Sequence, residues 1–269
     1  MNDTFREFEH RGWENVAAEY DLRFADLANQ SIEPLLNAAG AGQGIRLLDV
    51  ASGPGHAAAA AVRRGCSVLG VDFSAEMVAI ARRRRPQLEF REGDAEKLDL
   101  PDRSFDAVVM NFGMLHLGQP DRAIAEAHRV LRSGGRYAFT VWETPERAVG
   151  FGIVLGAIQT HGNANVPLPE GPPFFRFSDP DESERTLKSA GFMNVRVHRV
   201  PQTWSLESGA DLFTAFRTAA VRTAALLHAQ TPEALDRIRT DVTDRAEALR
   251  IGNRIELAMP AVLTSAVKP

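Results

Sequence analysis

The sequence predicts an α/β protein whose mostly parallel sheet is covered by helices on both faces. Three observations carry that expectation. Short apolar runs alternate with longer amphipathic ones from Ile45 onward, a glycine-rich turn follows the first run directly, and acids stand at or just past the ends of three successive runs, at Asp49, Asp72 and Asp94. Parallel strands buried on both faces read as continuous apolar segments, and the helices that connect them read with a 3.6-residue period.

Two helices precede the sheet: Trp13, Val16, Ala17 and Tyr20 recur at helical spacing, and Ile32, Leu35 and Leu36 form a second stripe. The first strand is Ile45 to Val50. Gly65 ends the helix after it, Ser67 to Val71 is the second strand, and Ser74 is placed to cap a helix running to about Arg84 before Pro86 stops it. Leu88 to Glu92 and Phe105 to Met110 are the third and fourth strands. A helix opening near Pro120 carries Ile124, Ala127, Val130 and Leu131 on one face; Gly134-Gly135 breaks it, and Arg136 to Trp142 is the fifth strand. From about Glu143 to Ser178 the alternation lapses in a stretch rich in Gly, Pro and aromatic residues, which reads as a lid. Asp179-Pro180-Asp181-Glu182 has the form of a capping box, opening a helix that Gly191 closes. Val195, Val197 and Val200 alternate as a sixth strand. Asp211 to His228 and Pro232 to Arg250, the latter capped by Thr231, read as helices, and Ala261 to Lys268 is the last strand, with Pro260 at its start or in a bulge.

With 269 residues and no Gly/Ser-rich or Pro-rich linker, the chain reads as one domain. Its parts are an N-terminal helical cap (1–40), a core (45–142), a lid insertion (143–180), a helix and sixth strand (181–206), a helical insertion (207–250) and the last strand (251–269). The 31 Lys and Arg against 35 Asp and Glu leave a net charge of −4, which offers no basic field for a nucleic-acid backbone. Arg82-Arg83-Arg84-Arg85 falls where a helix should end, and cations there complement the helix dipole. A single cysteine, Cys66, excludes an internal disulfide and any multi-cysteine metal site, and no metal is expected. The polar N-terminus, Met1-Asn2-Asp3-Thr4-Phe5-Arg6, and the lack of a long apolar run point to a cytoplasmic protein without a membrane span.

The chemistry concentrates after the first four strands. Asp49-Val50-Ala51-Ser52-Gly53-Pro54-Gly55 turns sharply into a helix, and glycine lets a ligand approach bare backbone there. Asp72 ends the second strand, about 20 residues beyond the loop, where an acid can accept from both hydroxyls of a ribose. Gly53, Gly55 and Ala58 also satisfy the looser dinucleotide fingerprint, so the loop alone leaves a nicotinamide-dependent oxidoreductase open. Gly93-Asp94-Ala95-Glu96 after the third strand separates the two: a dinucleotide site has no need of that acid, whereas an exocyclic adenine amino group donates to it.

On these residues the run from Leu47 through Thr140 resembles the class I S-adenosylmethionine-dependent methyltransferases, in particular the small-molecule group that includes ubiquinone and menaquinone methyltransferases. Val130-Leu131-Arg132-Ser133-Gly134-Gly135 resembles that family's turn before the fifth strand. The resemblance implies a Rossmann-like sheet of seven strands with the last antiparallel. It implies S-adenosyl-L-methionine as cofactor, S-adenosyl-L-homocysteine as product and a small-molecule substrate. Carried over, Asp49, Ala51, Ser52, Gly53, Pro54 and Gly55 hold the methionine portion, Asp72 the ribose, and Gly93, Asp94 and Ala95 the adenine, flanked by Phe73 and Met77. Asn111, with Phe112 beside it, faces the sulfonium. Ser52 and Pro54 depart from the family's usual cysteine and threonine or serine, and no specific subfamily is recognised beyond Trp142.

A sulfonium methyl is already activated, so the protein's task is to hold an oxygen, nitrogen or carbon nucleophile in line and exclude water. His116, just past the fourth strand, is the candidate base. Tyr20, in Glu19-Tyr20-Asp21, resembles an N-terminal tyrosine that closes over the cofactor in relatives; with His116 it makes a candidate dyad and a candidate cofactor contact. Phe151, Phe174, Phe175, Phe177, Trp204, Phe213 and Phe216 suit a flat or hydrophobic acceptor, with ordinary core packing as the competing reading. A protein that binds the cofactor without catalysis shares the same loop and stands as the alternative.

Overall fold

The computed structural model describes residues 4–269; Met1, Asn2 and Asp3 of the polar N-terminus lie outside the described residues. In chain order the elements are α1 (Phe5–Arg23), α2 (Ala25–Ala28), α3 (Ile32–Ala38), β1 (Arg46–Val50), α4 (His56–Arg63), β2 (Ser67–Asp72), α5 (Ala75–Arg84), β3 (Glu89–Glu92), β4 (Phe105–Asn111), α6 (Pro120–Val130) and β5 (Leu131–Trp142). They continue as α7 (Val149–His161), α8 (Pro180–Ser189), β6 (Met193–Val200), β7 (Thr203–Leu206), α9 (Gly209–Thr218), α10 (Arg222–His228), α11 (Pro232–Glu247), β8 (Arg250–Ile251), β9 (Arg254–Ala258) and β10 (Ala261–Val267). The chain forms two compact units. One comprises the N-terminal part up to Leu27 with Glu143–Glu170 and Pro201–Pro260; the other comprises Ala28–Trp142, Gly171–Val200 and Ala261–Pro269.

The second unit holds a seven-stranded sheet in the order β3-β2-β1-β4-β5-β10-β6. β1 to β5 run parallel, and β10 lies antiparallel between β5 and β6, as expected of the last strand. The strand order reverses between β1 and β4. Right-handed crossovers therefore put α4 and α5 on one face and α6 on the other, and Leu47, Leu48, Val108 and Val109 are sealed between the layers. The carboxyl ends of β1 to β5 share one edge, where their loops converge. Two local expectations change. Gly134-Gly135 does not separate helix from strand: β5 begins at Leu131, and its register against β4 slips between Phe105 and Ala107, so the glycines lie within a bulged strand. Asp179 caps α8 by accepting from the Asp181 N–H at 2.9 Å, but no capping box closes, because Arg176 and Arg185 occupy the Glu182 carboxylate.

The first unit packs α1, α7, α9, α10 and α11 with a three-stranded antiparallel sheet, β7-β9-β8. Phe24 meets Trp204 at 4.7 Å and Phe216 at 5.7 Å between ring centroids, and Phe151 meets Phe216 at 4.9 Å. Glu9 is buried and accepts from Arg222 Nε at 2.7 Å, while the same guanidinium lies 4.3 Å over the Phe5 ring. Here the sequence reading departs furthest from the fold. Segment 143–180, read as an irregular lid, contains the apolar helix α7. Its glycines permit close approach: a Cβ on Gly152 would lie 2.5 Å from the Pro145 carbonyl oxygen. The helix expected from Asp211 to His228 is two, broken at 219–221, and the next ends at Glu247 rather than Arg250. The sheet of β7, β8 and β9 was not foreseen. Phe151, Trp204, Phe213 and Phe216 are buried core of this unit, and Phe177 is buried core of the other; only Phe174 and Phe175 of the expected aromatic lining stay half-exposed.

Candidate functional site

The candidate cofactor-binding residues and His116, Tyr20 excepted, lie at the carboxyl edge of the second unit's sheet. Asp49 sits in β1 among Leu47, Leu48 and Val50 and is only 1% exposed. Its Oδ2 accepts from the Ala58 N–H in the first turns of α4 at 2.9 Å, so the strand caps the helix across the glycine loop. Its Oδ1 has no hydrogen-bond partner among the described residues. Burial pushes this carboxyl up to about 7; the Ala58 N–H opposes the rise, the Asp72 charge adds to it, and Arg85 opposes it.

The loop between β1 and α4 holds three residues in left-handed backbone, Ala51 (φ 52°), Gly53 (φ 50°) and Gly55 (φ 80°). The two glycines answer different needs. A Cβ on Gly55 would lie 2.5 Å from Phe90 Cζ, whereas one on Gly53 would touch nothing nearer than Met77 Sδ at 4.0 Å, so Gly53 keeps an open side. Ser52 donates its N–H to the Val71 carbonyl at 3.1 Å, and its buried Oγ has no partner among the described residues. Arg85 Nη1 donates to the Pro54 carbonyl at 2.6 Å, and Nη2 stands 3.1 Å from His56 Nδ1. One member of the arginine run thus fastens the loop, a role the dipole reading missed because it runs between residues 31 apart.

Asp72, at the end of β2, is buried beneath the same loop. Its Oδ2 accepts from the Gly53 N–H at 2.7 Å and its Oδ1 from the Ser74 N–H at 2.9 Å. Ser74 caps α5 as expected, accepting from the Met77 N–H at 3.1 Å. The Gly93 N–H donates to the Asp72 carbonyl at 2.8 Å and so ties the tips of β2 and β3 together. Half-buried Asp94 accepts from the Glu96 N–H at 2.9 Å, with Ala95 buried next to it; Phe73 is half-buried and Met77 buried.

At the tip of β4 the Asn111 side chain is fully spoken for as an acceptor. Its Oδ1 receives Ser31 Oγ at 2.8 Å and Thr140 Oγ1 at 2.7 Å, and its Nδ2 donates to the Ala28 carbonyl at 3.1 Å. What Asn111 has left for a ligand is chiefly backbone. Phe112 takes a left-handed φ of 59°, donates its N–H to Thr140 Oγ1 at 3.1 Å, and stacks on Trp142 with centroids 3.9 Å apart. Sequence reasoning missed Ser31, Thr140 and Trp142; the available signal was Thr140, a polar residue inside an otherwise apolar strand. A Cβ on Gly113 would lie 2.5 Å from Ala51 Cβ, so the tips of β1 and β4 touch. His116 ends the short 3-10 turn Met114–His116, donates its N–H to the Gly113 carbonyl at 3.0 Å and meets the Phe174 ring edge-on at 5.9 Å. Tyr20 belongs to the first unit, between Trp13 at 5.1 Å and Phe24 at 5.9 Å.

Among the described residues no helix is long and apolar enough to cross a membrane, and no cluster of His, Cys, Asp and Glu is arranged to hold a metal. The family model of a methyltransferase domain matches residues 48–139. The demethylmenaquinone methyltransferase of Beutenbergia cavernae is 39% identical over 138 residues, which are 49% of this chain and 57% of that protein. The ubiquinone/menaquinone biosynthesis C-methyltransferase UbiE of Rubrivivax gelatinosus is 33% identical over 199 residues, 68% of this chain and 78% of that one. The chain therefore spans little more than half of the first of these relatives and over two thirds of the second. Among solved structures, phosphoethanolamine N-methyltransferase 2 of Haemonchus contortus, in complex with phosphomonomethylethanolamine and S-adenosylhomocysteine, shares the fold. Its TM-score is 0.61 at 19% identity, covering 99% of this chain and 60% of that one.

Proposed function

Because the chain belongs to the class I S-adenosylmethionine-dependent methyltransferases, we propose that it transfers a methyl group from S-adenosyl-L-methionine to a small molecule, an oxygen, nitrogen or carbon nucleophile on an aromatic or hydrophobic metabolite. The observation that supports this most is the orphaned Oδ1 of Asp49 beneath a glycine loop whose Gly53 side is open. A buried acceptor without a donor costs about 1–3 kcal/mol, which a ligand carrying an amine recovers. The methionine end of the cofactor has that amine, so the residues present fit the group. When bound, it supplies a methyl already activated on a positively charged sulfur.

The chain's own residues do the rest. Asp49, Ala51, Ser52, Gly53, Pro54 and Gly55 hold the amino-acid end, Asp72 accepts from ribose hydroxyls, and Gly93, Asp94, Ala95, Phe73 and Met77 surround the adenine. The backbone at Asn111 and Phe112 borders the sulfonium. His116 accepts a proton from an acceptor that arrives protonated, which is worth about 10²–10⁴ in rate where it operates. We take both units as parts of one catalytic domain, since the chain passes between them repeatedly. A place in a reducing cytosol agrees with a lone, buried Cys66.

Calorimetry with S-adenosylmethionine, S-adenosylhomocysteine and NAD tests the cofactor; uptake of NAD without S-adenosylhomocysteine overturns the reading. Labelled cofactor offered with a panel of phenols, amines and quinols tests transfer. Label reaching no acceptor while S-adenosylhomocysteine still binds favours the alternative of binding without catalysis. With an acceptor in hand, His116→Ala is expected to lower turnover at unchanged cofactor affinity, and wild-type turnover would retire the base.

A further inference from the structure

The connection from β3 to β4, residues 93–104, carries Asp94 and Ala95 at its start. Main-chain bonds fasten both of its ends. The Gly93 N–H reaches the Asp72 carbonyl at 2.8 Å, and the N–H groups of Arg103 and Ser104 reach the Arg129 and Val130 carbonyls at 3.0 and 2.8 Å. Between these ends the Lys97 N–H turns back to the Asp94 carbonyl at 3.0 Å. Past that turn, side chains of α6 supply what the backbone of a neighbouring strand would supply in a sheet. Glu126 Oε2 accepts from the Leu98 N–H at 2.7 Å, and Arg129 Nη2 donates to the Leu98 carbonyl at 2.8 Å. The Leu98 side chain is itself buried.

Arg129 is the centre of this grip. Its Nη1 donates to the Leu100 carbonyl and to Asp102 Oδ1, both at 2.7 Å, and its Nε and Nη2 fork onto the two Glu126 oxygens, each at 2.8 Å. All five guanidinium N–H groups are therefore engaged, two of them on the main chain of the connection. A lysine has three donors and no plane, so it cannot reproduce the set. Bonding to Arg129 holds the Glu126 carboxyl below the usual carboxylate range, against the effect of burial, and the pair stays ionised near neutral pH. A planar bidentate fork fixes angle as well as distance. Leu98 stands four residues beyond Asp94, across the turn that Lys97 closes, so a shift at Leu98 has little chain in which to dissipate before it reaches Asp94.

We propose that Arg129 and Glu126 are positioning residues for base recognition: by gripping Leu98 and Leu100 they set where Asp94 and Ala95 stand, and so how strictly the site demands adenine. This rests on the reading in which Asp94 accepts from the exocyclic amino group of the cofactor's adenine.

The test is calorimetry on the full chain with two ligands, S-adenosylhomocysteine and S-inosylhomocysteine, whose base carries an oxygen in place of that amino group. The wild type should prefer the adenosyl ligand by at least about tenfold, and Asp94→Ala sets the preference that remains when the acceptor is gone. Arg129→Gln should weaken S-adenosylhomocysteine by about two- to thirtyfold and leave S-inosylhomocysteine within about twofold, moving the preference at least halfway, on a logarithmic scale, toward that of Asp94→Ala. Arg129→Lys should not restore it. With an acceptor from the labelled-cofactor panel, KM for S-adenosylmethionine should rise by the same factor while kcat stays within about twofold. If Arg129→Gln fails to fold, Glu126→Gln carries the test, because its amide oxygen can still accept from the Leu98 N–H; its effect should have the same sign and be smaller. A preference at the wild-type value in these variants, or an equal weakening of both ligands, overturns the proposal. A wild type that binds S-adenosylhomocysteine without preferring it strikes the Asp94 assignment and this proposal with it, and one that binds neither ligand strikes the cofactor itself.

Discussion

Neighbouring strands β1 and β4 bear side chains of nearly the same shape at or near their tips, and the two have opposite fates. Asp49 is buried with one oxygen unmatched and a carboxyl pushed up to about 7; Asn111 is half-buried with its carbonyl accepting twice and its amide donating. Both tips then turn through left-handed backbone, at Ala51 and at Phe112. One is followed by an open-sided glycine and the other by a ring stacked on Trp142. The difference sets a tip whose hydrogen bonding is incomplete among the described residues against a tip whose side chain braces the frame; on the function proposed above, a ligand completes the first.

The largest expected effect breaks the comparison at Asp49. Because the folded carboxyl titrates near 7 and the unfolded one near 3.8, the folded state holds the extra proton between those values. Stability should therefore fall as pH rises from about 4 to about 7, then level off. The three-unit gap sets a ceiling of about 4 kcal/mol for that fall. Urea denaturation across the range should show the slope in the wild type and its loss in Asp49→Asn; a slope that survives the substitution contradicts the assignment.

Next in size is Asn111→Ala, which leaves the Thr140 hydroxyl without its acceptor and the Ala28 carbonyl with only the Ser31 hydroxyl at 2.8 Å, and should cost about 1–3 kcal/mol. Asn111→Asp keeps the acceptor but turns a second carboxylate oxygen on the Ala28 carbonyl, so its cost should shrink as the pH falls and the protonated acid can donate there; a cost independent of pH would show that the donor bond is not what Asn111 supplies. Gly113→Ala drives a methyl to 2.5 Å from Ala51 Cβ and should cost about 1–3 kcal/mol. The penalty should shrink by at least about 0.5 kcal/mol in an Ala51→Gly background, and a double-mutant cycle without coupling would separate the two tips. Smallest of all, Ala51→Gly alone exchanges left-handed strain for chain entropy and should move the unfolding free energy by less than about 1 kcal/mol.

The strands and crossovers between Ile45 and Trp142 were legible because each obeys a local rule: continuous apolar strands, a serine cap at Ser74, a proline at the start of α6. The glycine loop was legible for the same reason, since its turn is dictated by residues within seven positions. What escaped was decided at a distance. α7 has no polar stripe to mark its period and is dotted with glycines that only its neighbours explain. β7, β8 and β9 have four, two and five residues, too short for alternation to stand out. Glu182 has the spacing of a capping-box acid, yet Arg176 and Arg185 outcompete the backbone for it. In the site, Arg85, Thr140 and Ser31 act on partners far along the chain, where spacing carries no message.

The position of β10 between β5 and β6 has a consequence for biosynthesis. As the polypeptide emerges, residues 193–200 have no strand beside them in the sheet until 261–267 leave the ribosome, and the outer edge of β5, which ends at Trp142, stays bare for longer still. The parallel half can assemble early; the other half must wait for about sixty more residues and then admit a strand between two others. That ordering leaves a sticky edge on the nascent protein, the kind of surface that chaperones recognise.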